Sequence, residues 1–299
     1  MRHNRISSTW QMAKPVSAGT RLLTARRTSG HPGAALALMA ALVVLAVPAQ
    51  AITTGTTTSA FAAVGPTLGV QVTPDWVVTA FHVSAALQPG FTFTNGYGIR
   101  TVAALYAAPG SGVFPANDLA LVRLAPALSP TPYLQVSSDL FPEGLFSPVP
   151  VTIVSGSYLY APLRGYAFTA VNEFRTMIDA DDAGPLLPVV ANYLISNDRL
   201  VYAEGGDSGG ALFLGHVTDS TSALLGVTSV RFDDANNVPF GSGFVALAAY
   251  RSWIDGTMAA DLADSQMLSW VSAVPEPGSL LLWALGLTLL AGAVRRRTA

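Results

Sequence analysis

Short segments of β-type residues recur along the middle of the chain, and Gly, Pro, Asn and Asp separate them. Apolar or alternating runs bounded by such turn residues are typical of β-strands. Strands at this spacing, without helical patterns between them, predict an all-β barrel or sandwich. The predicted strands are Thr67–Thr73, Trp76–Ala80, Gly98–Tyr106, Leu119–Leu124, Val149–Ser155, Tyr166–Val171, Ala211–Leu214 and Ala223–Val230.

A cluster of prolines interrupts this pattern near its centre, between Pro126 and Pro150. We interpret residues 125–150 as a crossing between two similar barrels, at about 52–124 and about 151–245. Helical periodicity appears only from Ala246 through Trp270, which we divide into a helix that begins near 246 and a linker helix at 259–273. The segment Thr53–Ser59 is predicted to be a flexible N-terminus of the mature chain.

The N-terminal 51 residues have the organisation of a secretory signal peptide. Basic residues without any acid precede an apolar run from Ala34 to Val47, and Pro48-Ala49-Gln50-Ala51 fits the small-residue cleavage pattern. Met12 is an alternative first residue of the signal peptide. Arg26-Arg27 is less typical of a twin-arginine signal, because Thr28-Ser29-Gly30 follows instead of an apolar residue. Export and processing by a signal peptidase are therefore expected.

The C-terminus carries a second signal-like segment at 274–299. Val274-Pro275-Glu276-Pro277 precedes an uncharged run, Gly278 to Val294, which is about the minimum length that crosses a bilayer. Arg295-Arg296-Arg297 would stay cytoplasmic. This order resembles the PEP-CTERM sorting signal of Gram-negative bacteria, which implies processing by an exosortase, a transient membrane anchor, and delivery to the cell envelope or the extracellular matrix. A plain membrane anchor is the alternative.

The mature part of the chain is strongly acidic. Residues 52–274 hold seven Arg, no Lys and seventeen Asp and Glu, which gives 7 − 17 = −10. Phosphate binding needs a basic surface, so nucleic acid is excluded as a partner. The chain has no cysteine, so its core must supply its stability. The acids Asp179, Asp181 and Asp182 do not have EF-hand spacing, and we predict an acidic surface loop and no cofactor.

A glycine-rich stretch, Glu204-Gly205-Gly206-Asp207-Ser208-Gly209-Gly210, surrounds one serine. Glycines allow tight turns and a close approach of the backbone to a substrate. Such a turn can present a serine hydroxyl as a nucleophile and backbone N–H groups as an oxyanion hole. The stretch also fits G-x-S-x-G of α/β-hydrolases, but that fold needs its histidine later in the sequence, where only His216 follows.

A serine nucleophile needs a base, and outside the signal peptide only His82 and His216 are available. His82 stands at the end of the apolar run Trp76-Val77-Val78-Thr79-Ala80-Phe81. Asp118 stands just before another apolar run, where it is either a turn residue or the acceptor for the second nitrogen of the imidazole.

The segments WVVTAFHV, NDLALVRL and GGDSGGALF resemble the His, Asp and Ser segments of the chymotrypsin/trypsin-like serine proteases, in that order. The resemblance implies two antiparallel six-stranded β-barrels with a C-terminal helix, over about residues 52–258. It implies catalytic His82, Asp118 and Ser208, with the backbone N–H groups of Gly206 and Ser208 as the oxyanion hole. Its substrates would be proteins or peptides.

The resemblance also implies a substrate pocket lined by Tyr202, Ser229, Val230, Arg231 and Gly243. Tyr202 stands where trypsin-like members have an aspartate, so tryptic specificity is excluded. A neutral, small-to-medium or acidic residue is expected at the cleavage site, with Arg231 narrowing the pocket or meeting an acidic group. Val83 and Glu204 stand where many relatives have cysteines.

Cleavage after Ala51 would expose Ile52-Thr53-Thr54-Gly55, which is similar to the N-terminus that pairs with the aspartate before the catalytic serine, here Asp207. We predict a secreted serine endopeptidase that acts through an acyl-enzyme. The alternative from another class is a non-catalytic exported binding domain on the same fold.

Overall fold

The computed structural model describes residues 52–66, 68–126, 134–156, 164–180, 187–234, 236–261 and 267–272. A helix α1 spans Arg251–Ala260, and 3₁₀ helices span Phe81–Leu87 and Leu247–Tyr250. The strands of the described part are, in chain order, β1 Thr56–Thr58, β2 Val64–Gly65, β3 Gly69–Gln71, β4 Trp76–Thr79, β5 Thr92–Asn95, β6 Gly98–Ala107, β7 Ala120–Ala125, β8 Gln135–Ser137, β9 Gly144–Ser155, β10 Arg164–Ala180, β11 Leu187–Ser196, β12 Ala211–Leu214, β13 Leu224–Asp233, β14 Pro239–Ala246 and β15 Ser269–Val271.

The first sheet contains six strands in the order β2-β3-β4-β7-β6-β5, all antiparallel. Strand β4 is buried along its whole length and pairs with β7, with Val78 opposite Leu121. A strand that is apolar on both faces is stable only where both faces are covered. One face of β4 packs on Phe93 and Leu87, and the other is turned to the second sheet.

The second sheet closes into a barrel. Its strands follow the order β12-β9-β10-β11-β14-β13, and β13 pairs again with β12, so six strands form a ring. The inner face is filled by apolar side chains that include Ile153, Leu212 and Phe244, each fully buried. Three further strands attach to this ring: β1 pairs with β10, and β8 and β15 extend the sheet beyond β13 in parallel.

Strand alternation joins the two sheets. Leu212 of β12 points into the second barrel, whereas its neighbours Ala211 and Phe213 belong to the cluster shared with Trp76 and Leu121 of the first sheet. Since successive side chains of a strand point to opposite faces, one strand serves both cores. Each large apolar side chain buried here contributes roughly 1.5–3 kcal/mol. Arg164 also links the sheets, because its Nε donates to the carbonyl of Val64 at 2.5 Å.

These observations confirm the predicted all-β class with two antiparallel sheets and a C-terminal helix. The predicted helical extent was wrong: α1 ends at Ala260, and Ser269–Val271 is a strand parallel to β8. The indole of Trp270 faces α1, where its Nε1 donates to Asp255 at 2.8 Å. The periodicity that includes Trp270 therefore reports this contact and not a continuous helix.

The N-terminal segment also differs from its prediction. Thr53–Ser59 is not a free tail, because β1 pairs with β10 and Ile52 is fully buried in the core of the second barrel. This segment thus belongs to the second sheet and not to the first. Similarly, β9 begins at Gly144, inside the segment interpreted as a crossing.

The signal peptide, Asp181, Asp182 and the segment 274–299 lie outside the described residues. Within the described ranges, no helix has the length and apolar character that crossing a membrane requires.

Candidate active site

His82 lies where the first sheet meets the second. Strand β4 delivers the chain to Ala80, whose extended conformation leads into the 3₁₀ helix that holds His82. About 20% of the His82 side chain is exposed, so the ring is held by protein on one side and reachable from solvent on the other. The ring of Phe114 packs edge-on against the imidazole, with centroids 4.8 Å apart.

Asp118 is buried beside His82 and holds the imidazole at one nitrogen. Its Oδ2 is 2.7 Å from His82 Nδ1, and its Oδ1 accepts a hydrogen bond from the His82 backbone N–H at 2.8 Å. A carboxylate at Nδ1 favours the tautomer with the proton on Nδ1, in which Nε2 can accept a proton.

The turn before Asp118 depends on Asn117, which has φ of 41°. Asn adopts this left-handed conformation more readily than most residues. Its N–H donates to the carbonyl of Val190 at 2.8 Å, and its side-chain oxygen accepts from the Tyr250 hydroxyl at 2.8 Å. Strand β11 and the C-terminal 3₁₀ helix therefore position Asp118 from the second half of the chain.

Ser208 completes the chain of contacts. Its Oγ lies 2.9 Å from His82 Nε2. Gly209, with φ of 80°, sits so close to the carbonyl of Leu68 and the hydroxyl of Thr79 that no β-carbon could fit there. This glycine allows the serine loop of the second barrel to lie directly against the first sheet, which brings Ser208 within reach of His82.

Several backbone N–H groups of the serine loop are hydrogen-bonded within the fold, and those on either side of Asp207 are not bonded to any described residue. The N–H groups of Asp207, Gly209 and Gly210 donate to the carbonyls of Glu204, Thr228 and Asp207, respectively. Those of Gly206 and Ser208 make no hydrogen bond to another described residue. Gly206 has φ of 103°, a backbone conformation that residues with a side chain rarely adopt.

The Asp207 carboxyl is buried in the same loop. Its Oδ2 accepts from the Glu204 backbone N–H at 2.6 Å. Burial raises the pKa of Asp207 from 3.8 to about 7, because the loss of solvent outweighs the hydrogen bonds from Ser155 and from the Glu204 N–H that stabilise the carboxylate. Ile52 pairs with Ala203 directly before this loop, so a new N-terminus at Ile52 would lie beside it.

The predicted pocket residues divide into two groups. Ser229, Val230 and Gly243 are buried, and Val230 pairs with Gly243 across β13 and β14. Ser229 donates to Asp118 Oδ2, so its hydroxyl serves the Asp118–His82 pair and not a pocket wall.

Tyr202 and Arg231 are only partly buried, and Arg231 is ion-paired twice. Its Nη1 lies 2.8 Å from Glu204 Oε2, and its Nε lies 2.9 Å from Asp233 Oδ1. Burial acts to lower the pKa of Arg231, but the two carboxylates outweigh it and the pKa is raised. The guanidinium charge of Arg231 is thus paired with two carboxylates.

His216 lies elsewhere, stacked on Phe168 with ring centroids 4.8 Å apart and with Nε2 3.3 Å from the carbonyl of Thr169. The α/β-hydrolase alternative has no support from this position. No local pattern indicated a role at the site for Phe114, Tyr193 or Tyr250, because their contacts come from distant elements. Asn117 could have been noticed, since Asn before an acceptor aspartate favours a left-handed turn.

His82 follows β4 and Asp118 precedes β7 of the first sheet, whereas Ser208 precedes β12 of the second, and this two-sheet arrangement resembles the chymotrypsin-like fold. Residues 273–297 match the model of the PEP-CTERM protein-sorting motif. No curated protein matches the chain. Among solved structures, the chain is similar to a double mutant of human heparin binding protein (CAP37), with 17% identity, a TM-score of 0.46, and coverage of 66% of this chain and 88% of that chain.

Proposed function

We propose that the exported protein is a serine endopeptidase that cleaves peptide bonds through an acyl-enzyme. The observation that carries this proposal is the continuous set of contacts from Asp118 through His82 to Ser208, with distances of 2.7 and 2.9 Å. A hydroxyl within hydrogen-bond reach of a base that is itself oriented by a third group is the arrangement that activates a serine.

In the first step His82 Nε2 accepts the proton of Ser208 as Oγ attacks the carbonyl carbon of the scissile bond. The oxygen of the resulting tetrahedral intermediate carries the negative charge, and in this proposal the backbone N–H groups of Gly206 and Ser208 donate to it. The protonated His82 then gives its proton to the leaving amine, which leaves an ester on Ser208. Water hydrolyses this ester by the same exchange of protons, and Asp118 stabilises the imidazolium throughout.

Specificity for a small neutral residue fits the pocket better than specificity for an acidic one. Arg231 is committed to Glu204 and Asp233, so these three side chains together carry a net charge of −1. Tyr202, and not an acid, stands in the position that selects for Arg and Lys in trypsin-like relatives. We therefore narrow the expected substrates to those with a small uncharged residue before the scissile bond.

The sorting motif supports export and attachment through the C-terminus before processing by an exosortase-type enzyme. Such a protease would meet its substrates at the cell envelope or outside the cell. The −10 charge of residues 52–274 makes acidic polymers poor partners.

The test is labelling with a fluorophosphonate, which reacts with activated serines. Wild-type protein that begins at Ile52 should be labelled, and Ser208→Ala and His82→Ala variants should not. A well-folded wild type that stays unlabelled, whether it begins at Ile52 or carries the preceding residues, would instead support a non-catalytic binding domain. Loss of label in Ser208→Ala but not in His82→Ala would show a reactive serine that does not use this base.

A further inference from the structure

A buried tyrosine lies directly behind the Asp118–His82 pair. Tyr193 is at 0% exposure on β11, and its hydroxyl is 2.6 Å from Ser229 Oγ. Ser229 Oγ in turn donates to Asp118 Oδ2, the oxygen that also contacts His82 Nδ1. These contacts form one continuous line of five side chains, which begins at Tyr193 and ends at Ser208.

The direction of these hydrogen bonds follows from the number of available protons. Ionised Asp118 can only accept, so the one hydroxyl proton of Ser229 points to Asp118. Ser229 Oγ can then only accept, so the single Tyr193 proton is shared between Ser229 Oγ at 2.6 Å and the carbonyl of Pro115 at 3.1 Å, and the shorter distance favours Ser229. Burial raises the pKa of Tyr193 well above its ordinary value, and the Asp118 charge acts in the same direction, so Tyr193 keeps its proton at neutral pH and can donate it.

We propose that Tyr193 is a positioning residue that acts through Ser229 to hold Asp118 in the orientation His82 needs. This inference rests on the proposed function. Without the Tyr193 donor, the Ser229 hydroxyl has one fewer contact that fixes its rotamer. Hydrogen bonds in a buried chain also strengthen one another, so the Ser229–Asp118 bond weakens when the donor behind it is removed.

Tyr193 also contacts the segment that carries Asp118. Its hydroxyl lies 3.1 Å from the carbonyl of Pro115, three residues before Asp118. The titratable groups that face this region are Asp118, His82 and Tyr250, and Tyr250 contacts Asn117 and the carbonyl of Ala191. A structural role through Pro115 is therefore a rival to the role through Ser229, and the experiment must separate the two.

The first variant is Tyr193→Phe in the exported protein, purified from a host that removes the signal peptide. The ring and its packing remain, and only the hydroxyl is lost. We expect the rate of fluorophosphonate labelling and kcat to fall roughly fivefold, which is the factor for one net hydrogen bond, with KM unchanged. The midpoint of the rise in labelling rate with pH should move downward, because an Asp118 carboxylate that is held less well against His82 stabilises the imidazolium less.

A double-mutant cycle with Ser229→Ala locates the path of the effect. If Tyr193 acts through Ser229, Tyr193→Phe should change the rate less than twofold once Ser229 is already alanine. An undiminished effect in that background would overturn the proposal in favour of the Pro115 contact. Tyr166→Phe, at a tyrosine that packs among Phe61 and Phe168, is the matched control and should match wild type.

A second readout does not depend on catalysis. The proton between His82 Nδ1 and Asp118 can be observed by NMR, and Tyr193→Phe should shift its resonance whereas Tyr166→Phe should not. Equal labelling, equal pH profile and an unchanged resonance in Tyr193→Phe would refute the positioning role. If wild type is not labelled at all, the proposed function fails, and the resonance still decides whether Tyr193 acts on the Asp118–His82 pair.

Discussion

Asp118 contacts His82 through both carboxylate oxygens. Oδ1 accepts from the His82 backbone N–H at 2.8 Å, and Oδ2 lies 2.7 Å from the ring Nδ1. The backbone contact fixes the position of the histidine Cα, and the ring contact fixes the rotation of the imidazole. A single acid thus determines both where the base sits and which nitrogen faces Ser208. Because Asp118 is only 2% exposed, water competes little for either contact.

Replacement of this acid by its amide tests the two contacts between Asp118 and His82. Asp118→Asn keeps the shape but turns one oxygen into a donor, so the imidazole is held in the wrong tautomer. If the proposed mechanism is correct, kcat should fall on the order of 10⁴-fold. Peptide hydrolysis and near-ultraviolet circular dichroism together measure this, and a well-folded variant that loses less than tenfold would contradict the assigned role.

The Asp207 carboxyl predicts a pH dependence of stability in chains that retain residues before Ile52. The unfolded carboxyl ionises near 3.8 and the buried one near 7, so the unfolded state binds fewer protons between these values. Stability contributed by this group is therefore complete below about pH 4 and is lost as pH rises to about 7. The difference corresponds to on the order of 4 kcal/mol.

Denaturant titrations at several pH values measure this loss. Asp207→Asn should remove it, because an amide does not ionise. A mature chain with a free amino group at Ile52 should also lack it if that cation pairs with Asp207. Parallel stability curves for the retained-leader protein and its Asp207→Asn variant would show that the burial of this acid has no energetic consequence.

Gly209 predicts a large loss of stability on substitution. In Gly209→Ala the new methyl group would collide with the carbonyl of Leu68 and the hydroxyl of Thr79, at a φ of 80° that alanine disfavours. We expect a loss of more than about 3 kcal/mol together with loss of fluorophosphonate labelling.

The matched control for this substitution is Gly256→Ala on the exposed side of α1, where no atom lies within 4 Å of the new β-carbon. It should stabilise by roughly 0.5–1 kcal/mol, since alanine favours the helix. Thermal unfolding of both variants gives the comparison, and similar stabilities would mean that the contact between the two sheets at Gly209 is looser than described.

The ion pairs of Arg231 predict how substrate charge is selected. Wild type should not prefer peptides with Asp or Glu before the scissile bond. Glu204→Gln releases one carboxylate from Arg231, so kcat/KM for acidic peptides should rise about fivefold relative to alanine peptides. Profiling with a peptide library measures both ratios. A wild-type preference for acidic peptides would show that Arg231 reaches the substrate despite its partners.

The parts of the fold that depend on local pattern could be predicted from the sequence. The apolar runs Trp76–Ala80 and Leu119–Leu124 predicted β4 and β7 within two residues, because β4 is buried along its whole length and β7 along its first three residues. The segments that pair with distant strands could not be predicted. Thr53–Ser59 carries no apolar alternation, and only its pairing with β10 makes it a strand.

The candidate site shows the same division. Ser208, His82 and Asp118 stand in recognisable segments, and the structure brings them within hydrogen-bond distance, although their catalytic roles stay predictions. Tyr193 lies in a strand whose residues show no motif, and no neighbouring residue in the sequence indicates that its hydroxyl contacts Ser229. Arg231 was expected to narrow the pocket or to meet an acidic group of the substrate. Its partner Asp233 lies two residues on in the same strand, whereas Glu204 becomes a neighbour only through the fold.

Strand β15 and the residue that follows it are hydrogen-bonded to the segment of β8. The carbonyl of Val271 accepts a hydrogen bond from the Ser138 N–H, and the Ser272 hydroxyl donates to Asp139, immediately before the sorting motif begins at residue 273. From Ser272 to Pro275 an extended chain reaches at most about 10 Å. An enzyme that recognises the Pro-Glu-Pro motif must therefore bind the chain within about 10 Å of the folded domain.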